Sequence, residues 1–185
     1  MAENKTRSIG LKVAQFGDVN PAGGMPDTMK QLARTMKGTA SFTPEADTTT
    51  DFYCEEEPAA PVESFGNEPG LKQTKLNFLE WDNDTLKETF GGTVSAAEDV
   101  TIDGKTYNVT KYQAPRDIVT VRKAVRAISL HNVVIEIPNA QVTARFVWNL
   151  TRTDIAQIEV TAKALAPIGE NEGPYAIYKL GEPKA

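Results

Sequence analysis

The last third of the chain alternates between apolar and polar positions, which is typical of strands that bury one face. Three such runs follow one another, at 133–137, 141–150 and 157–164. Short connections at 138–139 and 151–154 favour antiparallel neighbours, and a further strand is predicted at 175–180. The inward positions are predicted to be Val133, Ile135 and Ile137, then Val142, Ala144, Phe146, Trp148 and Leu150, and finally Ile158, Val160, Ala162 and Ala164.

The central stretch 71–93, LKQTKLNFLEWDNDTLKETFGGT, changes its period from strand to helix. Its first part predicts a strand with Leu76 and Phe78 on the buried face. A short helix is predicted next, from Asp82 to Phe90, with Leu86 and Phe90 on one face. Gly91 and Gly92 supply the left-handed conformations that end it. Four residues are good N-caps, namely Asp82, Asn83, Asp84 and Thr85, and Thr85 can form a capping box with Glu88.

The rest of the pattern predicts short strands separated by turns. Strands are expected at 8–14, with Ile9, Leu11 and Val13 on one face, at 48–53 and at 107–112. Loops are expected at 16–26 and at 95–104, the second ending in an Asp103-Gly104 turn. The total of seven to nine strands and one short helix predicts a mainly β chain. We expect a β-sandwich or small barrel with one short flanking α-helix and a long hairpin loop.

Length and composition limit the classes of function that this chain can have. The 185 residues suit a single domain, 1–185, with 40% apolar and 24% charged residues. No apolar signal segment opens the chain, and no stretch is long enough to cross a bilayer, so we expect a protein that is made in a cytoplasm and stays out of membranes. The net charge of −5 argues against wrapping nucleic acid, although mild acidity suits a surface that DNA slides past.

The residues that usually carry chemistry form no recognisable catalytic set. Cys54 is the only cysteine and His131 the only histidine, and His131 lies in a strand-like run. The three consecutive carboxylates at 55–57 would point alternately to opposite faces of a strand, which does not suit a metal ion. Gly91-Gly92 follows a helix, whereas a phosphate-binding loop precedes one. We therefore expect no enzyme, no metal and no cofactor.

One basic cluster lies in the strand-like run 119–130, at Arg122, Lys123 and Arg126. Aromatic residues that could stack on bases are not interleaved with it. We expect it to pair with acidic groups of the same or a neighbouring subunit.

The central unit resembles bacteriophage tail tube proteins, also called major tail proteins. The resemblance rests on a strand that ends in an aromatic residue and an Asp, a short helix with Leu, and Phe90-Gly91-Gly92. Three other stretches occur in the same order as in that family: a Gly-Gly-Met-Pro turn at 23–26, a Thr-rich segment leading to acidic residues and Pro at 48–61, and the alternating strands of the last third. Together they span nearly the whole chain.

The resemblance implies six subunits in a ring, rings stacked into a tube, and inner strands joined into a barrel around a lumen through which DNA passes. The partners would be copies of this chain and the tape-measure, tail terminator and baseplate or tip proteins. The protein would be found in the virion tail after assembly in the host cytoplasm. Ring stacking would use the N-terminal segment, the loop at 54–65 and the C-terminus.

Particular residues acquire roles through the same resemblance. Candidate loop contacts between subunits are Glu56, Pro58, Pro61 and Phe65, and candidate lumen-facing acids, chosen because they share one strand parity, are Asp51, Glu55 and Glu57. The helix would sit on the outer side of the barrel. The segment around Met29 to Met36 has helical spacing, but the resemblance favours a brief turn and then a strand at 38–43.

Other functions stay open. The inner tube of a contractile injection system has a related fold and carries no genome. A carbohydrate-binding β-sandwich would expose a row of aromatics, whereas Trp148 shares an apolar face with Phe146 and Trp81 lies at the helix start, so both tryptophans are expected in the core.

Overall fold

The structure is a computed structural model that describes residues 6–182. Residues 1–5 and 183–185 lie outside it, and with them the ends of the terminal segments assigned above to ring stacking. The chain is mainly β with one short helix, as predicted. The described elements are β1 (Leu11–Asp18), β2 (Ser41–Phe42), β3 (Thr48–Phe52), β4 (Glu63–Glu68), β5 (Gln73–Phe78), α1 (Asn83–Phe90), β6 (Thr93–Val94), β7 (Glu98–Ile102), β8 (Lys105–Val109), β9 (Tyr112–Gln113), β10 (Val121–Ser129), β11 (Val133–Val147), β12 (Gln157–Ala164) and β13 (Ala176–Lys179).

Seven strands form one antiparallel sheet, in the order β1-β10-β11-β12-β5-β2, with β13 also paired to β11. The sheet curls into a half-barrel. Its inner face carries the hydrophobic core, in which Phe16 of β1 meets Phe78 of β5 edge to face with ring centroids 5.8 Å apart. The helix adds Leu86 to this core. The inward positions predicted for β5 and for Ile158, Val160 and Ala162 of β12 are confirmed.

The strand β11 corrects the sequence interpretation, because 138–139 is not a turn. Val133 to Val147 is one strand of 15 residues. Its pairing with β10 shifts between Lys123↔Ala140 and Val125↔Ile137, which leaves one extra residue on β11. This is a β-bulge, where the missing N–H of Pro138 does no harm to the ladder. Beyond the bulge β11 changes its second neighbour from β13 to β12.

The first strand also differs from its prediction. It runs from Leu11 to Asp18, and its buried side chains are Ala14 and Phe16, whereas Ile9 is exposed. An irregularity in the pairing lies between Leu11 and Val13. The predicted face was wrong because Phe16, the largest apolar side chain of the strand, was assigned to the following loop.

The structure shows the backbone conformation of two regions, 29–43 and 95–104, for which the sequence predicted turns or loops. The 29–36 segment is not helical, and β2 lies inside the predicted strand 38–43, so the turn-and-strand prediction is confirmed in shortened form. The predicted loop 95–104 was wrong in part, since β7 and β8 form a hairpin there; its Asp103-Gly104 turn is confirmed, with φ of 49° and 75°. Within residues 6–182, no helix is long and apolar enough to cross a membrane.

Candidate assembly surface

The strands β3 and β4 form a hairpin that pairs with no other described strand. Every residue of both strands is exposed. Threonines at 48–50 favour the extended backbone, and the loop 53–62 closes the hairpin as predicted. At its base the Asp47 carboxylate accepts hydrogen bonds from the Gly70 amide at 2.8 Å and from Lys72 Nζ at 3.1 Å. A Cβ on Gly70 would collide with the carbonyls of Glu45 and Ala46, so glycine is required there.

The hairpin is strongly acidic. Residues 45–68 hold eight carboxylates and no lysine or arginine. The Gly70 amide and then Lys72 hold the pKa of Asp47 below its usual value. The Cys54 thiol donates to the Glu56 carboxylate and lowers the pKa of Glu56 in the same way.

The three candidate lumen acids do not share one strand face. Asp51 lies in β3, where its carboxylate accepts a hydrogen bond from Ser64 Oγ at 2.6 Å. Glu55 and Glu57 lie in the loop, because β3 ends at Phe52. Strand parity was therefore the wrong reason to group them. What the three residues share is exposure on one acidic hairpin.

The four candidate contact residues also lie on this hairpin. Glu56, Pro58 and Pro61 are exposed in its loop, and Phe65 lies in β4. The Phe65 ring meets Phe52 edge to face at 5.9 Å. Thr50 pairs with Phe65 and Phe52 with Glu63, so the two rings project from the same face of the hairpin. We call Phe52 and Phe65 the aromatic face of the hairpin.

The helix motif is built around Asp82. Its side chain caps the helix by accepting from the Thr85 amide at 2.7 Å, an interaction that lowers the pKa of Asp82. The predicted capping box of Thr85 with Glu88 was wrong. The Thr85 hydroxyl is buried 2.7 Å from Asp82 Oδ1 and 3.0 Å from the Leu32 carbonyl, while Glu88 pairs with lysines.

The helix ends at the predicted glycines. The Gly91 amide donates to the Lys87 carbonyl at 3.0 Å, and φ is 75° at Gly91 and 84° at Gly92. A Cβ at Gly92 would also collide with the Gln113 carbonyl. Both positions therefore need glycine, as the sequence indicated.

An aromatic cluster covers one end of the sheet beside the helix. Phe90 stacks on Phe146 with centroids 5.1 Å apart, and Trp81 lies 5.6 Å from Phe146 and 5.8 Å from Trp148. Phe146 and Trp148 remain 43% and 56% exposed. The prediction that Trp148 is a core residue was wrong, because β11 extends past the end of the core. Leu150, 83% exposed, lies beyond the strand.

Lys123 of the basic cluster is the centre of an ion-pair network. Lys123 Nζ contacts Glu88 of the helix and, at 2.7 Å, Asp18 of β1, and Lys30 lies 3.4 Å from Glu88. The pKa of Asp18 is lowered, chiefly by the hydrogen bond from Lys123. Burial raises the pKa of Glu88, but Lys123 and Lys30 outweigh it and the net shift is downward. Burial lowers the pKa of Lys123, and its two carboxylates more than reverse this.

Arg126 of the same cluster pairs with Glu136 of β11 at 2.6 Å, and Glu136 also accepts from the Tyr178 hydroxyl at 2.9 Å. Pairing of the basic cluster with acidic groups of the same subunit is thus confirmed for Lys123 and Arg126.

An apolar groove of about 850 Å³ opens inside the half-barrel, a feature that the sequence analysis missed. Its apolar lining includes Leu11, Phe42, Leu76, Ala127 and Ile135. Three basic residues, Lys12, Arg34 and Lys37, also line it. These residues come from distant parts of the chain, so no local pattern reveals the groove.

The only histidine and the possible metal-binding groups are the remaining candidates from the sequence. His131 lies in the exposed turn between β10 and β11, so its placement in a strand was wrong. Within residues 6–182, no three His, Cys, Asp or Glu side chains are grouped to hold a metal ion. The sequence matches no protein-family model and no curated protein. What the chain does must therefore be inferred from its own geometry and from the resemblance described above.

Proposed function

We propose that this protein is a structural subunit of a bacteriophage tail tube, which assembles into stacked six-membered rings and conducts DNA through its lumen. The observation that carries the proposal is the β3–β4 hairpin. A lone two-stranded hairpin is marginally stable in water, and this one also exposes Phe52 and Phe65. Both features are explained if the hairpin packs on a neighbouring subunit.

The curled sheet and the charge of the chain fit the same proposal. An open half-barrel has edges that copies of the chain can use for pairing. Acidic side chains that reach the lumen, for which Asp51 of β3 is a candidate, would keep phosphate from binding. The helix motif around Asp82 and Leu86 would pack on the outer side of the barrel. Assembly of this kind needs no catalytic residue, metal or cofactor.

Negative-stain electron microscopy of the purified protein across a concentration series tests the proposal. Rings or hollow tubes of one constant diameter are expected, with or without seeding by tail tip complexes. A protein that stays monomeric at every concentration and does not extend a seed would contradict it.

The inner tube of a contractile injection system remains the nearest alternative, and the cargo separates the two. Particles from the producing cells should contain nuclease-protected DNA if the chain belongs to a phage. Particles that never contain nuclease-protected DNA would favour the injection system.

A carbohydrate-binding module is a second candidate, favoured by one observation. Phe146 and Trp148 are partly exposed beside Trp81, and exposed aromatic rings can stack on sugars. Tryptophan fluorescence titrated with a panel of oligosaccharides would change in the wild type and not in Trp148→Ala if this function is correct. No response to any sugar would remove the candidate.

A further inference from the structure

The groove inside the half-barrel is basic at its rim in a chain that is acidic overall. The described residues that line it include Lys12, Arg34 and Lys37 and none that is acidic. Arg34 is paired with Glu80 at 2.6 Å, so Lys12 and Lys37 are the lining cations considered for an occupant. The exposed side chains of Lys12 and Lys37 border an apolar interior formed by residues such as Leu11, Phe42 and Ile135. The groove therefore suits an occupant that is apolar in the middle and negatively charged around it.

The β3–β4 hairpin has these properties. Its aromatic face presents Phe52 and Phe65, which are 55% and 53% exposed. Glu63 is paired with Phe52 and shares this face, and Glu55 and Glu57 lie in the adjoining loop. All three belong to the segment 45–68, with eight carboxylates and no basic residue. The volume of about 850 Å³ lies within the range of about 300–1,000 Å³ of clefts that bind small molecules, so the groove has room for side chains of the size of two phenylalanine rings.

The hairpin does not fill the groove of its own chain. The described lining residues include Ser41, Phe42 and Thr74, but none from the intervening 43–73, which contains the whole hairpin. A second copy of this chain carries the complementary surface on its own hairpin, and we take that hairpin as the occupant of the groove.

We infer that the aromatic face of the hairpin of one subunit inserts into the groove of the next, with the loop carboxylates against Lys12 and Lys37. This contact rests on the proposed tube function and names the receiving surface for the hairpin. The groove and the hairpin are different surfaces of the same subunit, so the contact between subunits is head-to-tail. Such a contact generates a closed ring when the rotation that relates successive subunits returns to the first subunit.

Charge reversal tests the inference on exposed residues that the fold does not need. The groove variant K12E/K37E and the hairpin variant E55K/E57K should each raise the protein concentration at half-assembly by about tenfold or more, because like charges then meet. The variant that combines all four substitutions should recover most of the loss. The matched control K105E/K179E changes exposed lysines outside the groove and should assemble like the wild type.

Cross-linking locates the contact directly, because Cys54, at the start of the hairpin loop, is the only native cysteine. A short bis-maleimide should convert assembled Lys37→Cys protein into a ladder of covalent oligomers. The wild type can form only Cys54–Cys54 dimers, and Lys105→Cys, on the β7–β8 hairpin, should give no ladder.

The outcomes separate this inference from the function on which it rests. Tubes that form without a Lys37→Cys ladder, and that are insensitive to the reversed charges, would overturn the docking and leave the tube function standing. An intramolecular cross-link would also overturn it, since the hairpin would then reach its own groove. Absence of any assembly would overturn both.

Discussion

Single residues decide where the central helix begins and ends. The sequence offered four N-caps, and the structure shows that Asp82 is the one that accepts from the Thr85 amide, at 2.7 Å, while the Thr85 hydroxyl lies 3.0 Å from the Leu32 carbonyl. The end was easier to predict, since Gly91 and Gly92 adopt conformations that other residues rarely reach. The residues that end the helix could thus be identified from the sequence, whereas the choice among four equivalent caps could not.

Removal of the cap should destabilise the protein measurably. We expect Asp82→Ala to lower the free energy of unfolding by about 1 kcal/mol, because the Thr85 amide loses its acceptor. Urea denaturation at neutral pH measures this. Asp84→Ala, which changes a first-turn carboxylate without a capping contact, should cost only a few tenths of that amount; equal losses in the two variants would show that Asp82 does not act as the cap.

The sequence predicted strands correctly where one face of the strand is buried, and it misplaced a strand boundary where the hydrogen-bond ladder between β10 and β11 is irregular. The pattern in β5 and β12 identified their inward side chains, but a proline in β11 was interpreted as a turn although it occupies a bulge. The ion pairs that join distant elements could not be predicted from the sequence. Lys123 joins β10 to Asp18 of β1 and Glu88 of α1, 105 and 35 positions away.

The Lys123 network should make stability depend on pH in a defined direction. The pKa values of Asp18 and Glu88 are lowered in the folded state. Their contribution to the free energy of unfolding is therefore fully present above the usual pKa values of carboxyl groups, and it is lost as the pH falls through the lowered pKa values. The pKa of Lys123 is raised, so its contribution is complete below about 10.5 and is lost as the pH rises through the higher folded-state value.

Replacement of Lys123 checks this dependence. Lys123→Met should lower the free energy of unfolding by roughly 1–3 kcal/mol at pH 7, because Glu88 keeps its partial burial without its closest cation. As the pH falls from about 5 to about 3, the free energy of unfolding should then decrease less in Lys123→Met than in the wild type. Urea denaturation at each pH measures this. Lys105→Met, at an exposed position of β8, is the control; an unchanged acid profile in Lys123→Met would refute the role of the network.

The hairpin should matter for assembly and not for the fold of the subunit. Phe52→Ser removes an exposed ring, so the free energy of unfolding should change by no more than about 0.5 kcal/mol. Phe78→Ala is the contrasting variant, expected to cost about 3–5 kcal/mol because Phe78 is fully buried. A loss of several kcal/mol in Phe52→Ser, measured in the same denaturation experiment, would place the hairpin in the subunit core.

At the scale of the whole molecule, the sequence predicted a mainly β chain with one helix and an exposed acidic hairpin, and the structure confirms these features. It did not predict the groove or the exposed aromatic cluster, because both depend on how distant segments meet. The half-barrel then presents one acidic, aromatic projection and one basic, apolar groove. Self-association through these surfaces is the central claim.

Sedimentation velocity over a rising concentration series tests that claim most directly, with wild type and Phe52→Ser compared in the same run. For the wild type we predict a species of six times the 20.2 kDa subunit mass, followed by larger assemblies, while Phe52→Ser stays monomeric at the same concentrations. A single 20.2 kDa species for the wild type throughout, or assemblies equally abundant in both proteins, would contradict self-association through the hairpin.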